Sequence, residues 1–196
     1  SKEGVVPEVP FQMLTALDLG DREWAAIAGS ASWQTTRMNL NTFARHGVFK
    51  FGGMAEKLAA RLADPDQVRR ARVFPYQLLV AYMNAGKEVP GVIREALQDA
   101  MEVAISNVPE IDGKVVICPD VSGSMRSPVT GYRKGATSAV RCIDVAALVA
   151  AAFLRKNRDS RVLPFEVKVV KVALNPRDTV MTNATKLAKV GGGGTN

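Results

Sequence analysis

Residues 114–125 constrain the fold more than any other stretch of this chain, and they read Lys-Val-Val-Ile-Cys-Pro-Asp-Val-Ser-Gly-Ser-Met. The first part, residues 115–118, has the apolar composition of a buried strand. The polar loop that follows carries Asp120, Ser122 and Ser124 at alternate positions. Open α/β sheets bind ligands at the carboxyl ends of their strands. Carboxylate and hydroxyl oxygens suit Mg²⁺, with Mn²⁺ as the alternative.

The pattern Asp-x-Ser-x-Ser after an apolar strand resembles the metal-ion-dependent adhesion site of von Willebrand factor A domains. The alternative is a polar turn in which a serine caps the next helix. The resemblance implies Thr195, after the glycine run 191–194, as a further metal ligand. It also implies a later aspartate beyond residue 196, so metal binding by this chain alone is expected to be weak.

The residues after the loop continue as an α/β pattern. A nearly all-apolar helix is predicted at 143–156, two short strands at 161–166 and 167–173, and a helix at 178–189. This order predicts the first half of a doubly wound, Rossmann-like sheet.

Residues 11–108 carry only helical periodicity, broken by short turns. Stacked antiparallel pairs would form HEAT-like helical repeats, whereas a plain helical bundle is the alternative. Helical spacing ends at residues 108–113. The predicted fold class is therefore α plus α/β, with a helical domain at 1–110 and a partial A domain at 111–196.

Charge is distributed unevenly along the chain, whose formal net charge is +7. Residues 1–110 hold 12 Lys and Arg against 13 Asp and Glu, whereas residues 111–196 hold 14 against 6. The second half therefore has a net charge of +8 and allows an anionic partner. Both cysteines, Cys118 and Cys142, are expected to be free, buried and reduced, which suits a cytoplasmic protein.

Two segments taken together resemble one family. Residues 33–47 read Trp-Gln-Thr-Thr-Arg-Met-Asn-Leu-Asn-Thr-Phe-Ala-Arg-His-Gly, and residues 120–125 read Asp-Val-Ser-Gly-Ser-Met. In this order they resemble the Ro RNA-binding proteins, which contain a TROVE domain, and most of all the bacterial Ro orthologues. The resemblance covers nearly the whole chain.

The resemblance implies a ribonucleoprotein component and not an enzyme. Family members form a ring of helical repeats clasped by the A domain. The ring binds small noncoding Y RNAs on its outer face and accepts single-stranded ends of misfolded or defective RNAs. Bacterial members act as adaptors for polynucleotide phosphorylase or another exonuclease.

The chain is shorter than the family pattern, and Ser1 is not a methionine. We therefore expect more helical pairs upstream and a complementary polypeptide that supplies the missing parts of both domains. No secretory signal is visible. The longest apolar run, residues 145–154, is too short to span a membrane.

Six residues are the RNA-binding candidates, and in one helix from Trp33 several of them share a polar stripe. Arginine and asparagine contact phosphates and base edges, and a histidine ring stacks on bases. The alternative is a solvated helix face. The candidates are Arg37, Asn39, Asn41, Thr42, Arg45 and His46.

Basic residues also flank the metal loop and could hold phosphate: Arg126, Arg133, Lys134 and Arg141. No catalytic constellation is visible, since the only histidine, His46, lacks an obvious nucleophile partner. Two other functions remain open: a metal-dependent protein-docking module without a direct RNA role, and an A-domain subunit of an ATPase-driven machine.

Overall fold

The computed structural model of the chain describes residues 11–14, 17–131 and 139–194. Its described part is rich in helix and contains one small parallel sheet. The helices are α1 (Phe11–Leu14), α2 (Asp21–Ser30), α3 (Trp33–Met38), α4 (Leu40–Arg45), α5 (Met54–Ala63), α6 (Pro65–Ala71), α7 (Pro75–Asn84), α8 (Gly91–Ala104), α9 (Cys142–Lys156) and α10 (Val180–Lys189). The strands are β1 (Val116–Ile117) and β2 (Arg161–Val162). No helix in these ranges has the length and apolar character needed to cross a membrane.

Helix boundaries follow local capping chemistry. Asp64 caps α6, since its Oδ1 accepts hydrogen bonds from the N–H groups of Asp66 at 2.9 Å and Gln67 at 3.2 Å, and Pro65 takes the first helical position. Hydrogen bonds from Gln67 hold the pKa of the Asp64 carboxyl below its ordinary value. Gly47, with a φ of +65°, follows α4 in the left-handed conformation that glycine tolerates.

The single helix predicted over residues 33–45 is wrong, because the structure has two helices there. The backbone of Asn39 leaves the helical region, with φ −120° and ψ 20°, and its side-chain amide donates to the carbonyl of Thr35 at 2.8 Å. An asparagine that bonds its own backbone competes with the helical pattern. Because of this break, α3 and α4 are separate helices, and the RNA-binding candidates on them do not form one continuous helical stripe.

One hydrophobic core runs through both parts of the chain. Large fully buried side chains of the helical part include Trp24, Phe43 and Met101. The same cluster continues into Leu148 of α9 and Leu187 of α10. Helix α9 packs against α7 and α10, and α10 also contacts α8. Both tryptophans lie in this core, since Trp24 is 1% and Trp33 5% exposed.

The sheet is smaller and more exposed than predicted. Strands β1 and β2 are parallel, with Val116 paired to Arg161 and Ile117 to Val162. Helix α9 packs on one face, so exposure alternates along β1 and Val116 is 55% exposed. The prediction that Cys118 is buried is wrong, because it lies on the open face; Cys142 is partly buried, and neither forms a disulfide.

The second predicted strand, 167–173, forms only a short turn back onto Phe165. There Phe165 and Val169 make an antiparallel bridge, and the N–H of Val170 donates to the carbonyl of Pro164 at 2.7 Å. The predicted order of a helical part followed by parallel strands is observed. The finer description, HEAT-like repeats followed by an A domain, stays a prediction.

Two side chains tie the helical part to the α/β part. The carboxylate of Glu102, on α8, accepts the N–H of Val180 at 2.7 Å, which satisfies a free donor at the start of α10. Asn157, just after α9, accepts the N–H of Ile111 at 2.9 Å and donates to the carbonyls of Pro109 at 3.3 Å and Phe153 at 3.1 Å. The boundary segment is thus bonded to the end of α9.

We expect Asn157→Ala to lower the free energy of unfolding by about 1–3 kcal/mol, because three hydrogen bonds at a buried side chain are lost together. Urea denaturation followed by circular dichroism measures the change. Asp159→Ala, an exposed substitution two residues away, is the matched control. Equal stability of the two variants would contradict this role for Asn157.

Candidate metal and RNA-binding sites

The metal loop, residues 119–126, begins where β1 and β2 end. Parallel pairing continues past both strands, since the N–H of Phe165 donates to the carbonyl of Pro119 at 3.0 Å and the N–H of Val121 donates to the carbonyl of Phe165 at 2.8 Å. Asp120 consequently lies beside Phe165 at the carboxyl edge of the sheet. This is the edge where the sequence predicts ligand binding.

The three predicted metal ligands converge within this loop. One carboxylate oxygen of Asp120 accepts the N–H of Ser122 at 2.8 Å. The hydroxyl oxygens of Ser122 and Ser124 lie 3.0 Å apart. Ser122 is 1% exposed, whereas Ser124 is open to solvent. The metal loop therefore presents one carboxylate and two hydroxyls, one hydroxyl buried and one accessible.

This arrangement fits a divalent ion of octahedral geometry. Neighbouring ligands around Mg²⁺, with bonds of about 2.1 Å, lie about 3.0 Å apart, which matches the two hydroxyls. The donors Asp120, Ser122 and Ser124 would hold the ion. A bound ion would supply a positive charge at an open position, to which a carboxylate or phosphate of a partner could bind.

The glycine run 191–194 packs directly on the metal loop. The N–H of Gly123 donates to the carbonyl of Gly193 at 2.8 Å, and the N–H of Gly192 donates to the carbonyl of Val121 at 2.9 Å. Gly191 has a φ of +72°, and a Cβ there would overlap the carbonyl of Val121. Thr195, the fourth predicted ligand, directly follows the run but lies outside the described residues.

Glu166 also belongs to this site, although the sequence interpretation did not include it. Its carboxylate accepts the N–H of Gly193 at 2.7 Å and so holds the glycine run against the metal loop. A signal was present in the sequence. Glu166 is the first carboxylate after the second parallel strand, which ends at the same edge as the strand before Asp120.

The two flanking cations that the structure describes, Arg126 and Arg141, both contact other groups of the protein. Arg141 forms an ion pair with the nearly buried carboxylate of Asp144 at 2.7 Å, at the start of α9. The hydrogen bonds that Arg141 donates to the carboxylate of Asp144 raise the pKa of Arg141, and burial opposes that effect. Arg126 lies near the carbonyl of Gly191, at 3.4 Å. Arg133 and Lys134 lie outside the described residues.

Two of the RNA-binding candidates hold α7 in place. The guanidinium of Arg37 donates to the carbonyl of Gln77 at 3.1 Å. Burial lowers the pKa of Arg37, and the nearby charge of Tyr76 opposes the shift. Asn41 bonds the end of α7 through both amide atoms, donating to the carbonyl of Asn84 at 2.8 Å and accepting the N–H of Gly86 at 2.8 Å.

The remaining candidates lie on or just beyond α4, apart from Asn39 at the break between the helices. Arg45 is exposed, and its guanidinium donates to the hydroxyl of Thr42 at 3.2 Å. The ring of His46 stacks on the buried ring of Trp24, with centroids 4.1 Å apart and 14° between planes. One face of the histidine is therefore covered by the protein itself. Of the six candidates, Arg45 has the most accessible charge.

Calorimetric titration with Mn²⁺ tests the metal site. We expect weak binding by the chain, and a further loss of at least about tenfold in Asp120→Ala, because the only carboxylate of the three donors is removed. Asp112→Ala, an exposed carboxylate in the boundary segment, should leave binding unchanged. Tight binding that survives Asp120→Ala would refute the assignment.

Glu166→Ala should speed hydrogen exchange at the Gly193 amide, since that N–H loses its acceptor. Glu166→Gln should preserve slow exchange, because the amide oxygen still accepts the hydrogen bond. Exchange followed by mass spectrometry or NMR distinguishes the two variants. Equal exchange in Glu166→Ala and the unsubstituted chain would show that the carboxylate does not hold the glycine run.

Comparisons with known proteins relate the chain to a curated protein and to a solved structure. No family model matches the chain. The RNA-binding protein RO60 of Deinococcus radiodurans is 28% identical over 171 residues, covering 81% of this chain and 31% of that protein. The crystal structure of the Ro (RSR) protein of D. radiodurans has a TM-score of 0.71 at 22% identity, covering 94% of this chain and 38% of the other.

The chain thus spans about a third of the length of these relatives. Because its sequence identity is only 22%, the structural match shows similarity of fold alone. The sequence match is a separate observation that does not depend on the structure. Each match extends into both the helical and the α/β part, because it covers more residues than either part contains. Together they confirm the predicted resemblance: this chain is similar to a bacterial Ro protein in sequence and in fold.

Proposed function

We propose that the chain is part of an RNA-binding ribonucleoprotein component of the Ro type. The observation that carries the proposal is the sequence similarity, through both parts of the chain, to a protein named as RNA-binding. The net charge of +8 in residues 111–196 is in line with an anionic partner. The relative carries the name of an RNA-binding protein, in line with our expectation that this chain is not an enzyme.

The finer proposal follows the family resemblance. The bound RNAs are small noncoding Y-like RNAs and the single-stranded ends of structured, misfolded or defective RNAs. The protein acts in the cytoplasm as an adaptor for processing or decay, with polynucleotide phosphorylase or another exonuclease as its partner. Its helical part is HEAT-like, and its second part is a von Willebrand A domain. A complementary polypeptide that accompanies the chain stays a prediction.

A specific observation supports a second candidate function, that of a metal-dependent docking module. Ser124 is exposed beside the buried Ser122, so an ion held by the metal loop would have an accessible coordination position. Mg²⁺ keeps several exchangeable ligands and can bind a carboxylate from a partner. In this alternative the metal loop binds a protein and the chain has no direct RNA role.

Arg45→Gln should weaken RNA binding, because Arg45 is the most accessible charge among the six candidates. Loss of one phosphate contact should also reduce the slope of log K against log salt by about 0.7–0.9. Fluorescence anisotropy with a labelled RNA at several salt concentrations measures both changes. Lys168→Gln, which removes an exposed charge after β2, is the matched control.

The same assay separates the two candidate functions. An RNA-binding component should be indifferent to Asp120→Ala, because none of its proposed RNA contacts lies in the metal loop. For a docking module, Arg45→Gln should have no effect on RNA binding. Binding of its protein partner should be lost in Asp120→Ala. Arg37 is less suitable for this test, since its half-buried guanidinium supports α7.

A further inference from the structure

A groove runs along the seam where α6 and the start of α7 meet α9. It consists of two cavities that we call together the seam groove. The first has a volume of about 230 Å³ and is lined only by apolar and aromatic residues, among them Phe74 and Tyr76 opposite Val149 and Phe153. The second has a volume of about 450 Å³, and its lining includes Arg155 and Lys156 of α9 and Arg158 in the turn that follows α9. The two cavities follow one another along α9.

The aromatic end offers two fixed, accessible rings. Phe74 is 43% exposed and Tyr76 is 39% exposed, and within the described ranges neither ring pairs with another aromatic ring. Their backbone is held firmly, since Pro75 lies between them at the first helical position and the side chain of Gln77 accepts the N–H of Phe74 at 2.9 Å. The rings are therefore presented in a constrained arrangement.

The segment before the rings is basic and has an unusual backbone. Arg72 is the only non-glycine residue of the described ranges with a positive φ, at +49°. This conformation costs energy for a side chain with a Cβ, and such outliers cluster at functional sites. Arg70 and Arg72 are both exposed. The segment just before the rings therefore carries two accessible cations.

The other end of the groove is cationic. Arg69 of α6 faces the same cavity as Arg155, Lys156 and Arg158, with Glu102 as the one carboxylate of the lining. Glu102 is already engaged, because one oxygen accepts the N–H of Val180 at 2.7 Å and the other lies 3.6 Å from Arg155. Arg155 in turn bonds the carbonyls of Pro176 and Arg177.

Two of the other three cations, Arg69 and Lys156, have weak, solvent-exposed partners. Arg69 pairs with Asp66 at 3.2 Å and Lys156 with Glu110 at 3.7 Å, and the carboxylates are 72% and 76% exposed. Such pairs contribute little and exchange readily for a phosphate. Arg155 and Lys156 also suit the negative end of α9. Stabilisation of the end of α9 does not explain the position of the other two cations. Arg69 belongs to another helix and Arg158 lies beyond the end of α9, yet both face the same cavity.

We infer that the seam groove binds single-stranded RNA, with bases stacked at Phe74 and Tyr76 and phosphates held by the cationic end. Flat accessible rings beside a basic track are the pattern by which proteins bind single strands without reading sequence. The inference rests on the proposed RNA-binding function and adds a site to it. None of the six RNA-binding candidates between Arg37 and His46 lines the groove.

Anisotropy titrations of the chain with labelled oligo(U) and with a blunt RNA duplex test the groove. Phe74→Leu with Tyr76→Leu keeps apolar volume but removes the rings. We expect the loss of each ring to weaken oligo(U) binding about 5- to 150-fold and to leave the salt slope and duplex binding unchanged. Circular dichroism checks the fold of this variant, whose altered side chains are partly exposed.

Arg158→Gln is the second variant, and it alters an exposed residue outside any helix or strand. We expect it to reduce the salt slope for oligo(U) by about 0.7, because one phosphate contact is lost. Lys168→Gln again serves as the charge-matched control. The groove is supported if the ring variant loses affinity for oligo(U) without a change in the salt slope, whereas Arg158→Gln reduces the salt slope.

Three outcomes would overturn the inference, and they are distinct. If the chain binds oligo(U) but all groove variants bind equally well, the groove is wrong while the RNA-binding function stands. If the chain binds no RNA at several salt concentrations, the proposed function fails and this inference fails with it. If poly-glutamate displaces oligo(U), and the Phe74→Leu with Tyr76→Leu variant weakens poly-glutamate binding as much as oligo(U) binding, the groove binds a protein ligand.

Discussion

Burial of α9 on nearly all sides is the constraint on which the rest of the structure depends. Its buried residues are mostly alanine and leucine, and small alanines allow neighbouring elements to approach closely. The sheet packs on one side of α9, whereas α7 and α10 pack on others. Since no part of the chain could cover α9 alone, the helical and α/β parts share one core. The position of the metal loop relative to the helices follows from this shared packing.

Sequence periodicity predicted the elements well where burial decides the outcome. The helix at 143–156 follows from its apolar composition, and the Asp-x-Ser-x-Ser pattern predicted the loop in which Asp120, Ser122 and Ser124 lie. Predictions that needed to know which faces are covered were less reliable. Cys118 has the composition of a core residue, but the face of β1 on which it lies is open in the described structure.

Polar side chains were the hardest to assign from sequence, because backbone groups compete for them. Arg37, Arg61 and Arg94 all donate to main-chain carbonyls, and two of them do so at the ends of α2 and α7. Helix ends leave carbonyls without partners, and a long guanidinium can satisfy them. A pattern of Arg and Asn on a helix therefore does not distinguish a nucleic-acid contact from an internal brace. Exposed aromatic rings beside cations, as at Phe74 and Tyr76, are more discriminating.

The N–H of Val180 that bonds Glu102 has a consequence beyond the capping of one helix. Helix α10 starts at this bond and ends at the glycine run on the metal loop, so ten residues span about 15 Å between the two. The carboxylate at its far end lines the cationic cavity of the seam groove. One helix therefore fixes the spacing between the metal loop and the cationic cavity.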